Sequence, residues 1–492
     1  MKLKVKHSGW SAGRPVAILN EDTARKLCVK VNDRLLVRSS SSRIIAILDI
    51  SSKIVGRNEI ILSSEAINYM NLKKEGFVKV DIAKNPQIIQ IIQKKFIHKK
   101  LAEKEIFTII KAIVDNALTE TEIAFFISAI YESGMDLNEI AWMTKAMVKT
   151  GNILHFKSKK IVDKHSIGGI SGNRTSPIIV PICASAGLVF PKTSSRAITS
   201  AAGTADVVET ICKVDFSAKE IEKIVRKTGA CLVWGGSLGF APADDKLIRV
   251  ESQINIDPEP NLLASILAKK IAIGSKFILI DIPYGKSAKV DKKQAVHLKN
   301  QFESLGRIFK LHIKCELTKG EEPIGNGIGP VLEMRDIIDV LNNNGPLDLK
   351  NKSLFLAGQI FELTGKTKKG KGQQLAKEIL ESGKALKKFN EIVVAQRGDV
   401  KKINSLLSLA KFSFEVKSPK SGNITEIDNK KINLLARIAG SPNDKKAGVY
   451  IFKHIGDEIK KGEKILTIYS QSRKRLQDAG IFCKGNNIFV IK

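Results

Sequence analysis

Lys164-His165-Ser166-Ile167-Gly168-Gly169-Ile170-Ser171-Gly172-Asn173-Arg174-Thr175-Ser176 is the stretch from which the rest of the chain can be read. A second segment of the same texture follows it: Ser194-Ser195-Arg196-Ala197-Ile198-Thr199-Ser200-Ala201-Ala202-Gly203-Thr204-Ala205-Asp206. Both are dense in Gly, Ser and Thr. Each carries a fixed cation, and each leads into an apolar run. Glycine lets a backbone approach an anion and offer its N–H groups, hydroxyls add donors, and Lys and Arg supply charge. The pair predicts one site that binds two different phosphates.

The chain has 492 residues, which at about 100–200 residues per domain predicts three or four domains. Its 43% hydrophobic and 27% charged content fits a folded chain rather than a disordered one. No apolar run reaches the ~18–20 residues that span a bilayer. Met1-Lys2-Leu3-Lys4-Val5-Lys6 alternates like a strand and lacks the apolar centre of a signal peptide, so a cytoplasmic location and no membrane partner are expected. The six cysteines (Cys28, Cys183, Cys212, Cys231, Cys315, Cys483) form no CxxC pair and the seven histidines form no HExxH, so neither a disulfide framework nor a metal site is expected. The net charge of +31 suits attraction to polyanions. Yet the lysines are spread along the whole chain, many at helical surface spacing (Lys94, Lys95, Lys99, Lys100, Lys104), and only three Trp and five Tyr are present for base stacking. A solvated surface that steers a small anionic substrate is the reading, with no nucleic-acid partner.

Working outward, residues 1–84 contain an internal echo. Ile18 to Ala24 and Val31 to Val37 are matched by Ile61 to Ala66 and Glu75 to Val80. A duplicated β-α-β unit of this kind can interleave into a small closed barrel. Assembly into a homo-oligomer is its expected role. Residues 85–155 and 245–275 read as a helical domain. Ile88, Ile89, Ile91, Ile92 and Phe96 form one stripe, Ile106, Ile109, Ile110 and Ile113 another. Thr119-x-x-Glu122 and Asp136-x-x-Glu139 predict capping boxes. Residues 156–244 and 276–411 alternate as α/β. Ile161-Val162 predicts the strand that delivers the first loop and Leu188-Val189-Phe190 the strand that delivers the second. A mainly parallel sheet follows, with ligands at the carboxyl ends of its strands. A further strand is expected from Arg307 to Leu317, and Lys366 to Gly372 is expected to be a solvated loop. Residues 412–492 predict an α+β, sandwich-like module with lipoyl-like turns, but no lysine sits at a hairpin tip as a carrier's acceptor would.

Several longer motifs now align. They are Lys164-His165-Ser166-x-Gly168-Gly169, Ser195-Arg196-Ala197-Ile198…Gly203-Thr204-x-Asp206-x-Val208-Glu209, and Ala264-Ser265-Ile266-Leu267-Ala268-Lys269-Lys270. Ala241-Pro242-Ala243-Asp244, Glu322 to Glu333 and Glu381-Ser382-Gly383-Lys384-Ala385 join them. Together, over residues 86–480, they resemble the thymidine phosphorylase family. The resemblance implies a helical domain facing a larger α/β domain across a cleft, a homodimer or larger assembly, and reversible phosphorolysis of an N-glycosidic bond. Orthophosphate is the implied co-substrate, with no cofactor.

The chain departs from the thymidine-type pattern at three places. His-Thr-Gly-Gly-Thr is replaced by Ser200-Ala201-Ala202-Gly203-Thr204. Leu-Arg-Asp is replaced by Ile248-Arg249-Val250-Glu251. Asp-Val-Lys-x-Gly-x-Gly is replaced by Asp281-Ile282-Pro283-Tyr284-Gly285-Lys286-Ser287, followed by Lys289. With the added 1–84 module, these departures resemble the archaeal AMP phosphorylase branch, whose substrates are nucleoside 5′-monophosphates: AMP first, with CMP and UMP as further candidates. The resemblance implies that Lys164, Ser166, Ser176 and Thr204 hold the attacking phosphate. It implies that Gly169, Ser195, Arg196, Ala197, Ile198, Thr199, Ser200, Thr204, Ser265, Lys269 and Lys289 hold the nucleotide. Arg196 offers the 5′-phosphate a bidentate fork. Asp257 is the implied proton donor to the leaving base, a role that requires a carboxyl holding its proton near neutral pH. Asp257-Pro258 also reads as a helix N-cap with proline at the first position. The competing readings are a phosphorylase of unphosphorylated nucleosides, a nucleic-acid-binding or assembly protein on a retired enzyme fold, and a phosphoribosyltransferase. The last would require diphosphate, Mg²⁺ and an acidic metal-binding pair near the loops, which the sequence lacks.

Overall fold

The structure is a computed structural model that describes residues 1–492 except 73–75, 84–87, 157, 159, 198 and 199. Two compact units form: Met1–Gly151 with Ala241–Ser265, and Asn152–Phe240 with Ile266–Lys492.

The first unit begins with the expected barrel. Strands Lys2–Lys6, Val16–Asn20, Arg34–Arg38, Arg43–Ser51, Glu59–Leu62 and Phe77–Ile82 close in the spatial order first, fifth, second, fourth, third, sixth. Ile18 pairs with Ile61 and Val37 with Val80, both antiparallel and both 43 residues apart in sequence, so the repeat folds against its own copy. Each copy carries a short helix, Glu21–Leu27 or Ser64–Met70, and each helix ends on a left-handed residue, Cys28 or Asn71. Alternate strand positions point inward, and Leu3, Leu19, Leu35, Leu48, Ile60 and Val80 fill the interior.

Helices Ile88–Phe96, Glu103–Val114, Glu120–Ser133, Leu137–Lys149 and Pro242–Ile254 and the start of helix Glu259–Ala272 also belong to this unit. Both expected capping boxes form, at Thr119 with Glu122 and at Asp136 with Glu139. Lys95, expected on the surface, is instead buried. Its ammonium donates to both carboxylate oxygens of Glu139 at 3.0 Å, and the pair is only 4% and 2% exposed. Glu139 also accepts the N–H of Leu101 at 2.9 Å. Periodicity could not separate Lys95 from its exposed neighbours, because its partner lies on another helix. Arg34 of the barrel donates to Glu122, so barrel and helices share an ion pair within the unit, and Arg249 pairs with Glu120 at 3.0 Å between two of the helices.

The second unit is built on parallel strands. His312–Lys319, Phe277–Tyr284 and Val162–Ser166 form one sheet, and Phe190–Ser194 with Ala230–Trp234 forms another. A parallel bridge between Ile161 and Val189 joins them. Their carboxyl ends therefore lie along one edge, which carries Ser166, Asp281, Thr318 and Ser194. The strand expected from Arg307 starts later, at His312. Arg307 instead lies in the last turn of an 18-residue helix, Lys292–Phe309, which Asp291 caps with Gln294 and which buries Leu298, Phe302 and Leu305. Lys310, in the left-handed region, stops it. The C-terminal module has two small antiparallel sheets and the helices Asn429–Ala439 and Arg473–Gly485. Among the described residues, no helix is long and apolar enough to cross a membrane.

Neutralising one member of a buried ion pair leaves the other charge uncompensated, at a cost of about 3–5 kcal/mol. Glu139→Gln should therefore lower the first unfolding transition by several degrees, whereas Glu105→Gln on the half-exposed Lys94 pair should change it by about a degree or less. Equal melting shifts for the two variants in calorimetry would contradict this.

Candidate active site

Strand Val162–Ser166 alternates faces, so Lys164 and Ser166 point one way and Asp163 and His165 the other. On the first face, the Lys164 ammonium donates to Thr175 Oγ1 at 2.8 Å and lies 3.7 Å from Asp281 Oδ2. Asp281 is fully buried within the central strand, in register with Ser166 at the end of the first. It accepts the Thr318 hydroxyl at 2.7 Å and the Asn173 amide at 3.4 Å, and it pairs with Lys352 at 3.3 Å. Asn173 also reaches Ser166 Oγ at 3.4 Å. Burial alone would raise the Asp281 carboxyl, but Lys352 and Lys164 hold it below the ordinary carboxylate range. Burial pushes the Lys164 ammonium down to about 8, and the Asp281 charge limits the fall.

On the opposite face, Asp163 binds two buried ammonium groups, Lys192 at 3.2 Å and Lys270 at 2.8 Å. Burial lowers Lys270 to about 7 and, with the surrounding lysines, moves His165 well below its ordinary value.

The first loop then passes close to a second segment. A Cβ on Gly169 would lie 2.5 Å from the backbone nitrogen of Lys289, so only glycine permits this approach, and its φ of +88° asks for glycine as well. Gly169 and the exposed Lys289 are thereby brought together. Ser176 is the buried first residue of helix Ser176–Ser185.

The second loop is closed by Asp206, whose Oδ2 accepts the N–H of Ala197 at 2.7 Å and of Gly203 at 2.8 Å. A side chain on Gly203 would meet Ser195 O at 2.5 Å. Arg196 directs its fork at a protein carboxylate: its two terminal nitrogens bind Glu209 at 2.7 and 2.6 Å, one of them also binds Asp206 at 3.2 Å, and the guanidinium lies 5.0 Å from the Trp234 ring centroid. These bonds hold the Glu209 carboxyl down to about 2. Ser195 and Ser200 are exposed and Thr204 is half-buried at the start of the next helix. Ile198 and Thr199 lie outside the described residues.

Arg174 joins the two loops. It donates to Thr204 Oγ1 at 3.3 Å and to Ala202 O at 2.8 Å, and its Nε is fixed by the buried Glu333 at 2.5 Å. Lys164, Ser166 and Thr204 thus belong to one connected set through Thr175, Asn173 and Arg174. Lys269 lies half-buried in the second unit, beside Lys270. Asp257 and Ser265 belong to the first unit. Ser265 is buried in helix Glu259–Ala272 and Asp257 is exposed. The first bond of that helix runs from Leu262 N to Pro258 O, so the capping position falls on Pro258 and Asp257 precedes it.

Sequence reasoning assigned no role to Arg174, Asn173, Asp281, Thr318, Lys352 or Glu333. Asp281 had a signal, a lone acid inside the apolar strand Phe277–Tyr284 that must be paired. Lys352 had none in so lysine-rich a chain. Among the described residues, no group of three or more His, Cys, Asp or Glu could hold a metal ion.

Residues 89–151 match the helical bundle domain of a glycosyl transferase family, residues 158–269 the α/β domain of that family, and residues 423–481 the pyrimidine nucleoside phosphorylase C-terminal domain. The chain is 41% identical to the AMP phosphorylase of Methanococcus aeolicus, over 98% of this chain and 96% of that one. It is 40% identical to that of Thermococcus kodakarensis and 42% identical to that of Pyrococcus furiosus, over the same shares. Among solved structures, anthranilate phosphoribosyltransferase from Thermus thermophilus superposes with a TM-score of 0.52 at 19% identity, covering 62% of this chain and 99% of that one, a likeness of fold.

The Lys164 value fixes a pH dependence. The native ammonium loses its proton near 8, against about 10.4 in an unfolded chain. Between those values the unfolded state binds more protons, so this group's contribution to stability rises with pH. Anion binding runs the other way. Orthophosphate affinity measured by calorimetry should fall as pH rises through 8, approaching tenfold per unit. Asp281→Asn removes the charge that props Lys164 up and should move that fall to lower pH. An unmoved profile in Asp281→Asn would remove Lys164 as the titrating group.

Proposed function

The chain belongs to the AMP phosphorylase family, and from that premise we propose that it catalyses the reversible phosphorolysis of AMP in the cytoplasm. An oxygen of orthophosphate attacks C1′ of the ribose and the N-glycosidic bond breaks. The base leaves with the bonding pair and takes a proton, giving adenine and ribose 1,5-bisphosphate. CMP and UMP are further candidate substrates. No cofactor is invoked, because charge developing on the ribose and the leaving base can be met by fixed groups and the phosphate itself.

The observation that carries this reading is Arg174, which ties two anion-type loops into one wall. With the attacking phosphate held by the first loop and Thr204, the rest of the second loop stands beside it with room for a second phosphate, the substrate's own. The Lys164 loop, with Ser166, Ser176 and Thr204, is assigned the attacking phosphate. The loop of residues 195–200 is assigned the 5′-phosphate, contacted mainly by backbone N–H groups and hydroxyls, since Glu209 already engages the Arg196 fork. Gly169, Ser265, Lys269 and Lys289 are assigned to the rest of the nucleotide. Asp257 is the proposed proton donor. The barrel is proposed to extend assembly beyond a dimer, since it leaves Tyr69 and Phe77 more than half exposed, at 56% and 59%.

Adenine release from AMP with phosphate should exceed release from adenosine with phosphate by at least about a hundredfold, as loss of a charged phosphate contact implies. Faster release from adenosine would instead establish a nucleoside phosphorylase. Asp257→Asn should abolish turnover and keep AMP binding in calorimetry; near-normal turnover in that variant would exclude the role. Phe77→Glu should lower the particle mass in light scattering, and an unchanged mass would exclude the barrel face as an assembly surface.

A further inference from the structure

The helix Asn429–Ala439 of the C-terminal module has no part in the chemistry described above, yet it touches both loops. Asn429, 1% exposed, accepts the Ser171 N–H at 3.2 Å, and its carbonyl accepts the Ser171 hydroxyl at 3.1 Å. Its own N–H and amide donate to Ser287 Oγ at 3.2 and 3.3 Å, in the segment that also carries Lys289. One turn on, Asn433 Oδ1 accepts the N–H of Ala201 at 2.5 Å, inside the second loop. Residues four apart lie on the same helical face, so one rigid rod holds both loops. Two further observations support a real junction. The Ala201 side chain is buried in the core of the C-terminal module, with Ile432 and Ala436 of this helix. Beyond the helix, Lys445 donates to Glu209 Oε2 at 2.5 Å, the carboxylate that holds Arg196.

We infer that Asn429 and Asn433 are positioning residues that set the separation of the two anion loops, and so select a substrate pair carrying two phosphates at a fixed distance. Neither side chain needs to touch a phosphate. Asn433 occupies a backbone N–H of the second loop and thereby fixes how that loop's neighbouring groups face. Asn429 fixes the first loop and the Lys289 segment in the same way. Because the two residues hold different loops, they act differently on the two ligands: Asn433 on AMP, and Asn429 chiefly on orthophosphate but also, through the Lys289 segment, on AMP. This inference rests on the assignment of orthophosphate to the first loop and the 5′-phosphate to the second.

The test is the affinity of the full-length protein for each ligand alone, AMP and orthophosphate, by titration calorimetry, alongside turnover. Asn433→Ala should weaken AMP about tenfold, the loss of one well-placed hydrogen bond, and leave orthophosphate within about twofold. Asn429→Ala should weaken orthophosphate about tenfold and AMP by less, the latter through the Lys289 segment that Ser287 ties to it. Asn433→Asp keeps the acceptor oxygen and should restore most of the AMP affinity, which a merely structural role for the side chain would not predict. Equal weakening of both ligands, or no weakening in either variant, would overturn the inference. A wild-type protein that binds both ligands but releases no adenine would overturn the proposed reaction alone, since the affinity split is read without turnover. A wild-type protein that does not bind AMP would overturn both.

Discussion

The second unit depends on one buried carboxylate. Asp281 lies inside the central strand with no exposure, bonded to Thr318, Asn173, Lys164 and Lys352. Taking such a charge out of water costs several kcal/mol, and only a complete set of partners offsets it. The reverse also holds. Lys164 of a strand and Lys352 of the helix Leu347–Leu363 can be buried here only because Asp281 is between them. The arrangement leaves one net positive charge among three buried groups, at the edge where the strands end. A dianion arriving there meets a field that water cannot screen, and the strand register that aligns Ser166 with Asp281 fixes where that field points.

The second loop is built on different electrostatics. Arg196 and Lys445 face Asp206 and Glu209, so its charges balance. What remains for anion recognition is the geometry of N–H groups and hydroxyls in a loop pinned by Asp206. The two loops are therefore not duplicates. The first suits a desolvated phosphate that must be activated by position and field. The second suits a phosphate monoester that has only to be held, and that can keep part of its hydration at a more exposed loop. Arg174 has one foot in each, with its charge matched by Glu333.

Local rules were enough for much of this. The capping boxes at Thr119 and Asp136, the 43-residue echo of the barrel and the strand-then-loop texture of the α/β part all involve residues near each other or a repeated pattern. The two glycine- and hydroxyl-rich loops stood out because the glycine, hydroxyl and cation of an anion-type loop sit close in sequence. What escaped was held by distant partners. Lys95 and Glu139 are 44 positions apart, Arg174 and Glu333 159, and Asn433 and Ala201 232. Nothing in the lysine stripe marked Lys95 as buried, and nothing in Arg307-Ile308-Phe309 showed that the preceding Leu298, Phe302 and Leu305 would carry a helix through it. Arg196 shows the same limit from the other side. Its chemistry was legible, but the carboxylate that engages it stands thirteen residues on and gave no sign of its direction.

The departure at Ser200-Ala201 acquires a packing meaning as well as a chemical one. The family pattern has His-Thr there, and the chain has a small hydroxyl followed by a methyl. Ala201 is 2% exposed within a cluster formed by Ile328, Ile424, Ile432 and Leu435. A threonine at that position would carry a hydroxyl into an apolar core, where an unpaired polar group costs about 1–3 kcal/mol. Alanine lets the loop seat its methyl while its N–H reaches Asn433. Replacing the neighbouring imidazole with Ser200 leaves the outer rim small and polar, where that residue is exposed. One two-residue change thus fastens the loop from below and opens it from above. The result is a loop with a small, polar outer rim that is fixed to the C-terminal helix from within.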